Sequence, residues 1–216
     1  MKYFLLIITF LLFSCSKNNI VSDNQNVWKV QEKQVILALW DSLTAWNWVD
    51  ENQNYPSKLQ EKLDENWYNY EVINAWVSWD TSQNLKSRVW LYLDKKPKIV
   101  ILVIWWNDWL RGLGVTDLKN NILDIINTFK ESKIVLWWMD LPLNLWPKYR
   151  EEFKNVYIEI AKERPDIYFL KYFLEWVGWN PDLNNEDMIH PNSKWYDIII
   201  KNLFDFMEKN KVVSKN

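Results

Sequence analysis

Residues 99–104, IVILVI, are the stretch of this sequence that decides its fold. Every side chain in it is apolar, and such a run is typical of a strand that is buried on both faces of a sheet. Strands of that kind occur in parallel sheets that carry helices on both sides. Residues 99–104 therefore predict an α/β domain with a central, fully covered strand.

Apolar runs on both sides of this stretch alternate with amphipathic segments. Four further strands are predicted, over residues 35–39, 70–75, 133–136 and 167–172. Helices are predicted over residues 55–66, 81–93, 117–132, 147–163 and 192–209. The alternation predicts a single-domain three-layer α/β/α sandwich with a five-stranded parallel sheet of the flavodoxin-like type. Right-handed crossovers place the carboxyl ends of all strands at one edge, where ligand sites of open α/β sheets lie.

The composition restricts the possible functions. The chain has 216 residues, 49% hydrophobic and 25% charged, which suits one packed domain. Its formal net charge of -2 does not favour binding to nucleic acid. A single cysteine excludes an internal disulfide and a multi-cysteine metal site, and no cluster suggests a metal. The topology would also suit a nucleotide-binding protein, but a phosphate-binding loop is lacking, so no cofactor is expected.

The amino terminus resembles a bacterial lipoprotein signal. An apolar run over residues 3–13, too short for a comfortable transmembrane helix, leads into the lipobox-like Leu12-Phe13-Ser14-Cys15. We expect cleavage before Cys15, lipidation of its thiol and an exported protein anchored to a membrane of the cell envelope. An uncleaved anchor and ordinary secretion are the alternatives. The expected organisation is a signal peptide and lipobox over residues 1–15, a tether over 16–34, the domain over 35–210 and a tail over 211–216.

Tryptophan is abundant and glycine is scarce in this chain. There are 17 Trp and 3 Gly, whereas average usage would give roughly fifteen glycines. Several tryptophans stand where backbone chemistry favours glycine, as in the turn-like Asn66-Trp67 and in Trp105-Trp106 after a predicted strand. Either the protein is truly rich in tryptophan, or its source translates UGA as glycine and the sequence renders those codons as Trp.

Four short segments carry the candidate chemistry, three of them directly after predicted strands. They are Trp40-Asp41-Ser42-Leu43, Ser78-Trp79-Asp80, Trp105-Trp106-Asn107-Asp108 and Asp187-Met188-Ile189-His190-Pro191. A serine hydroxyl becomes a strong nucleophile only when a base takes its proton. His190 is the only histidine in the chain and suits that role at neutral pH. Asp187 lies three residues before His190, within reach of the imidazole.

With tryptophan replaced by glycine, the four segments become GDSL, SGD, GGND and DMIHP. In this form they resemble the four blocks of the SGNH (GDSL) hydrolase superfamily, in order and with matching spacing. The resemblance extends over roughly residues 35–210 and favours the branch that contains thioesterase I, lysophospholipases and arylesterases. It implies an SGNH hydrolase fold and a Ser-His-Asp mechanism.

The resemblance also implies a role for each site residue. Ser42 is the nucleophile, His190 the general base, and Asp187 the carboxylate that orients the imidazole. The oxyanion hole consists of the backbone N–H groups of Ser42 and Trp79 and the side-chain amide of Asn107. An indole at position 79 would fill this hole, whereas glycine would leave it open.

The sequence therefore predicts a monomeric serine esterase that acts on small acyl esters or thioesters through an acyl-enzyme. The alternatives are a carbohydrate acetylesterase acting on envelope polysaccharide, and an inactive lipoprotein that binds a ligand. Four polar residues near the site are expected to be structural. Asp108 is expected to stabilise its loop, Asp80 and Asn74 to form turns, and Arg111 to form a salt bridge, with substrate contact as its alternative.

Overall fold

The computed structural model describes residues 32–40, 53–104, 106–138, 147–171, 182–183 and 192–215. By its internal contacts the chain divides into Met1–Gln31 and Glu32–Asn216, and every described residue belongs to the second unit. Cys15, Ser42, Asp187 and His190 lie outside the described residues.

Five parallel strands form one sheet in the order β2-β1-β3-β4-β5. They are β1 (Gln34–Trp40), β2 (Tyr70–Asn74), β3 (Ile99–Val103), β4 (Lys133–Trp137) and β5 (Tyr168–Leu170). Strand β3 occupies the centre, and all of its side chains are buried. The five-stranded parallel sheet and the central position of residues 99–104 are thus as the sequence predicts.

Helices cover the sheet on both faces. They are α1 (Tyr55–Glu65), α2 (Ser82–Arg88), α3 (Trp106–Leu110), α4 (Val115–Thr128), α5 (Pro147–Glu163) and α6 (Ser193–Lys209), and a 3₁₀ helix (Val89–Lys95) continues α2. Helix α1 packs against α6, while α4 packs against α2 and α5. Because β2 and β3 lie on opposite sides of β1, right-handed crossovers place α1 and α2 on opposite faces of the sheet. The result is the predicted three-layer α/β/α sandwich.

Some element boundaries differ from those predicted. The segment predicted as one helix over residues 81–93 forms α2 and the 3₁₀ helix, and the short α3 was not predicted at all. Gln34, the predicted end of the tether, is the first residue of β1 and is paired with Tyr70. The predicted tail begins within the packed domain, because Val212 and Val213 are buried.

Three helices, α1, α3 and α6, end in the same backbone arrangement with different residues at its key position. After α1, Trp67 N–H donates to the Asp64 carbonyl at 3.1 Å and Tyr68 N–H to the Leu63 carbonyl at 2.9 Å. This pair of bonds is the Schellman motif, whose left-handed residue is usually glycine. That residue is Trp67, with φ of 61° and its side chain 87% exposed. After α3 the same position is held by Gly112, with φ of 62°.

Lys211 takes the corresponding position after α6, with φ of 55°. A side chain is therefore tolerated there at an energetic cost.

Within the described ranges, no helix is long and apolar enough to cross a membrane.

Candidate active site

The described part of the candidate site consists of the loops that follow β2 and β3 at the carboxyl edge of the sheet. It includes two of the predicted oxyanion residues, Trp79 and Asn107. The predicted triad of Ser42, Asp187 and His190 lies outside the described residues and stays a prediction.

Trp79 occupies a tight turn after β2. The Asp80 N–H donates to the Val77 carbonyl at 3.4 Å, which closes the turn, and Trp79 has φ of 64° at its third position. A positive φ at this position is characteristic of type II turns, where glycine is favoured. The Trp79 side chain is 64% exposed, so burial of the indole does little to offset the strained backbone.

Asn107 is positioned by the first turn of α3, directly after the central strand. Its side chain is buried, with 1% of the residue exposed, and Nδ2 donates to the backbone carbonyl of Asp80 at 2.9 Å. This bond connects the loop after β3 with the loop after β2. Asn107 thus lies beside the turn that contains Trp79, and the oxyanion role of both residues stays a prediction.

Arg111 follows α3 and contacts the same turn. Its Nη2 donates to the Trp79 carbonyl at 3.0 Å. The salt bridge predicted for Arg111 is not found among the described residues, where its partner is this backbone carbonyl. The backbone carbonyls of residues 79 and 80 are therefore both bound by side chains from the segment that begins with Asn107.

Asp108 lies in a buried polar network that the sequence did not reveal. Its carboxylate accepts hydrogen bonds from Ser82 N at 2.7 Å and from Ser82 Oγ at 2.6 Å. Asn121 Nδ2, on α4, donates to the same Ser82 Oγ at 3.0 Å. Burial raises the pKa of Asp108, although the hydrogen bonds from Ser82 and the charge of Arg111 act in the opposite direction. Asp108 thus stabilises its loop, as predicted, by tying α3 to the start of α2.

The two residues predicted to form turns, Asp80 and Asn74, also have defined partners. Asp80 Oδ2 accepts from Arg88 Nε at 2.6 Å, which anchors the residue-79 turn to the far end of α2. Asn74 Oδ1 accepts from the indole of Trp40 at 2.9 Å and from Trp76 N at 3.3 Å. Neither partner is evident from the sequence, because Arg88 lies eight residues from Asp80 and Trp40 lies on another strand.

The described part of the site offers hydrogen-bond donors at the sheet edge. Within the described ranges, no group of three or more His, Cys, Asp or Glu side chains could hold a metal ion. Fixed amide donors at the ends of parallel strands suit the stabilisation of a developing oxyanion.

Comparison with known proteins identifies the family. Residues 38–198 match the GDSL-like Lipase/Acylhydrolase family. Esterase TesA of Pseudomonas aeruginosa is 32% identical over 161 residues, which cover 73% of this chain and 80% of TesA. Thioesterase 1/protease 1/lysophospholipase L1 of Escherichia coli is 31% identical over 160 residues, covering 73% and 75%. A crystal structure of TesA superposes with a TM-score of 0.77 and 30% identity, covering 82% of this chain and 99% of that one.

The chain therefore belongs to the GDSL-like lipase/acylhydrolase family and is an ester-bond hydrolase of the SGNH type. The resemblance inferred from the four sequence blocks is confirmed, and so is the fold that it implied.

Proposed function

We propose that this protein hydrolyses carboxylic esters or thioesters of acyl chains through an acyl-enzyme at Ser42. Ser42 Oγ forms a bond to the acyl carbon while His190 takes the hydroxyl proton, and the bond to the leaving group breaks as His190 donates that proton to it. Water then cleaves the acyl-enzyme by the same route. Asp187 holds the imidazole in the required orientation.

The observation that carries this proposal is the fixed position of Asn107 beside the residue-79 turn. Asn107 Nδ2 lies 2.9 Å from the Asp80 carbonyl and is buried, so its amide cannot rotate freely. Donors that are held in place before the reaction stabilise the tetrahedral intermediate without a cost of reorganisation. With the N–H groups of Ser42 and residue 79, Asn107 would complete a three-donor oxyanion hole.

Labelling with a fluorophosphonate probe tests the nucleophile. We expect the protein to be labelled at Ser42 and the Ser42→Ala variant to be neither labelled nor active. Ser87→Ala is the matched control, because the Ser87 hydroxyl donates to the Asn84 carbonyl within α2. Labelling that persists in Ser42→Ala would overturn the assignment of Ser42.

The substrate class is an acyl ester or thioester with an apolar acyl chain. The name of the Escherichia coli relative includes thioesterase and lysophospholipase, which supports acyl substrates for this chain. Rates with p-nitrophenyl octanoate, p-nitrophenyl acetate and acetylated xylan separate the possibilities. We expect activity on the octanoate. A strong preference for acetylated xylan would instead indicate a carbohydrate acetylesterase.

We also propose that glycine replaces tryptophan at position 79 of the natively translated protein. The positive φ of Trp79 and of Trp67 supports this, because both backbones suit glycine. The codons of the gene and the masses of native peptides test it. A UGG codon or an indole mass at position 79 would refute it and would favour the inactive, ligand-binding alternative.

The localisation proposed from the sequence is an envelope lipoprotein anchored through Cys15. Metabolic labelling with a fatty-acid analogue should mark the protein and should be lost in Cys15→Ser. Labelling that is unchanged in that variant would exclude Cys15 as the lipid attachment site.

A further inference from the structure

Arg111 and Asn107 reach the loop after β2 from one rigid segment. Arg111 N–H donates to the Asn107 carbonyl at 3.2 Å, so the two residues are one helical turn apart. Gly112 then ends the helix with φ of 62°, and its N–H bonds to the Trp109 carbonyl at 3.0 Å. The position of the Arg111 side chain is therefore set by the same short helix that presents the Asn107 amide.

The two side chains bind successive backbone carbonyls of the residue-79 turn. Arg111 Nη2 bonds to the carbonyl of Trp79 at 3.0 Å, and Asn107 Nδ2 bonds to that of Asp80 at 2.9 Å. A peptide beside a residue with positive φ can rotate to a more favourable conformation unless other contacts hold it. The Trp79 carbonyl belongs to the peptide between residues 79 and 80, whose N–H closes the turn onto the Val77 carbonyl. The bond from Arg111 holds this peptide and so restrains the backbone of residue 79 from its carboxyl side. It involves only the backbone of residue 79 and thus does not depend on whether tryptophan or glycine stands there.

We propose that Arg111 is a positioning residue for the oxyanion hole: by holding the peptide between residues 79 and 80, it restrains the backbone torsions of residue 79 and thereby the direction of the residue-79 N–H. The inference rests on the proposed function, since it takes the residue-79 N–H as an oxyanion donor. Arg111 acts through the backbone and does not touch the substrate. Its loss should therefore slow acylation without weakening substrate binding.

Steady-state kinetics of the natively translated protein test this role. In Arg111→Ala we expect kcat on p-nitrophenyl octanoate to fall about tenfold with KM nearly unchanged, a smaller loss than the 10²–10³-fold cost of removing an oxyanion donor itself. The rate of fluorophosphonate labelling should fall in parallel. Arg111→Lys should recover part of the activity, because an ammonium group can still donate one hydrogen bond. Millimolar guanidinium should partly restore Arg111→Ala.

Arg164→Ala is the matched control, because Arg164 forms its ion pair with Asp166 just after α5, outside the loops that build the site. It should leave kcat and labelling unchanged. A rise of KM alone in Arg111→Ala would show that Arg111 contacts the substrate, and an unchanged kcat would show that it positions nothing; either result overturns the proposal.

If Arg111→Ala proves unstable, Arg111→Met decides the matter, since its side chain cannot donate a hydrogen bond and full activity in a folded Arg111→Met would contradict the proposal. The Ser42→Ala variant separates this test from the proposed function. Full labelling of Ser42→Ala would refute the nucleophile, whereas an unlabelled Ser42→Ala together with a fully active Arg111→Ala would refute only the role of Arg111.

Discussion

The side-chain amide of Asn107 donates a hydrogen bond to the backbone carbonyl of Asp80 at 2.9 Å. Asn107 is buried, with only 1% of the residue exposed. An amide nitrogen carries two hydrogens. One hydrogen of Asn107 therefore holds the neighbouring loop, which leaves the other for the proposed role as an oxyanion donor. The residue thus joins a structural role to a proposed catalytic one.

Asn107→Ala should lose both roles at once. We expect kcat to fall by about 10²–10³-fold with little change in KM, as is usual when one oxyanion donor is removed. The free energy of unfolding should fall by about 1–3 kcal/mol, because the Asp80 carbonyl is left without its donor. Steady-state kinetics and urea denaturation measure the two effects. Loss of stability with an unchanged kcat would mean that Asn107 is only structural.

Asp108 should make the stability of the protein depend on pH in a defined direction. Its pKa is raised in the folded state, chiefly by burial. The folded protein thus binds this proton more tightly than the unfolded chain does. The contribution of Asp108 to stability is complete at low pH and is lost as the pH rises from about 4 through the raised pKa. Relative to the parent, Asp108→Asn should therefore become more stable as the pH rises, as followed by thermal unfolding.

Asp166→Asn provides a control, because its effect on stability should change with pH in the opposite direction to that of Asp108→Asn. The hydrogen bond from Arg164 lowers the pKa of Asp166, so its contribution is present at neutral pH and is lost as the pH falls through the lowered pKa. Relative to the parent, this variant should gain stability as the pH falls. If the stabilities of the two variants, relative to the parent, changed with pH in the same direction, the pH dependence attributed to Asp108 would be contradicted.

Trp67→Gly should stabilise the chain as written. Trp67 takes a left-handed conformation while its side chain is 87% exposed, so glycine removes strain and gives up little burial. We expect a gain of about 1 kcal/mol in the free energy of unfolding. Trp90 is also exposed, at 62%, but lies inside the 3₁₀ helix without positive φ. Trp90→Gly should lose roughly 0.5–1 kcal/mol. Equal effects of the two substitutions would remove the conformational argument for glycine at position 67.

Much of the fold was predictable because it depends on local pattern. The apolar run at 99–104 required a doubly covered strand, and the period of Leu118, Ile122, Ile125 and Ile126 indicated the buried face of α4. The position of Asn107 at the sheet edge followed from its place directly after a strand. These features need only the identity of neighbouring residues and the geometry shared by all parallel sheets.

The contacts that hold the site were not predictable, because they join residues that are far apart in the chain. Ser82 reaches Asp108 across 26 residues, and Arg111 reaches the Trp79 carbonyl across 32. No periodicity links such pairs. Arg111 also bonds to a carbonyl, which every residue carries, so the sequence contains no complementary side chain that could indicate the contact.

The ion pair between Asp80 and Arg88 should stabilise the residue-79 turn more than a surface pair would. Its side chains are only 9% and 15% exposed, and the two groups are 2.6 Å apart. Removing one partner of such a pair leaves a poorly solvated charge, so Arg88→Met should cost about 2–4 kcal/mol. Adding Asp80→Asn should recover part of that loss, because the stranded carboxylate is gone. The exposed pair of Lys201 and Asp205, at 72% and 55%, should show almost no coupling in the same double-mutant cycle. Equal coupling energies for the two pairs, measured by urea denaturation, would show that burial does not strengthen the Asp80 contact.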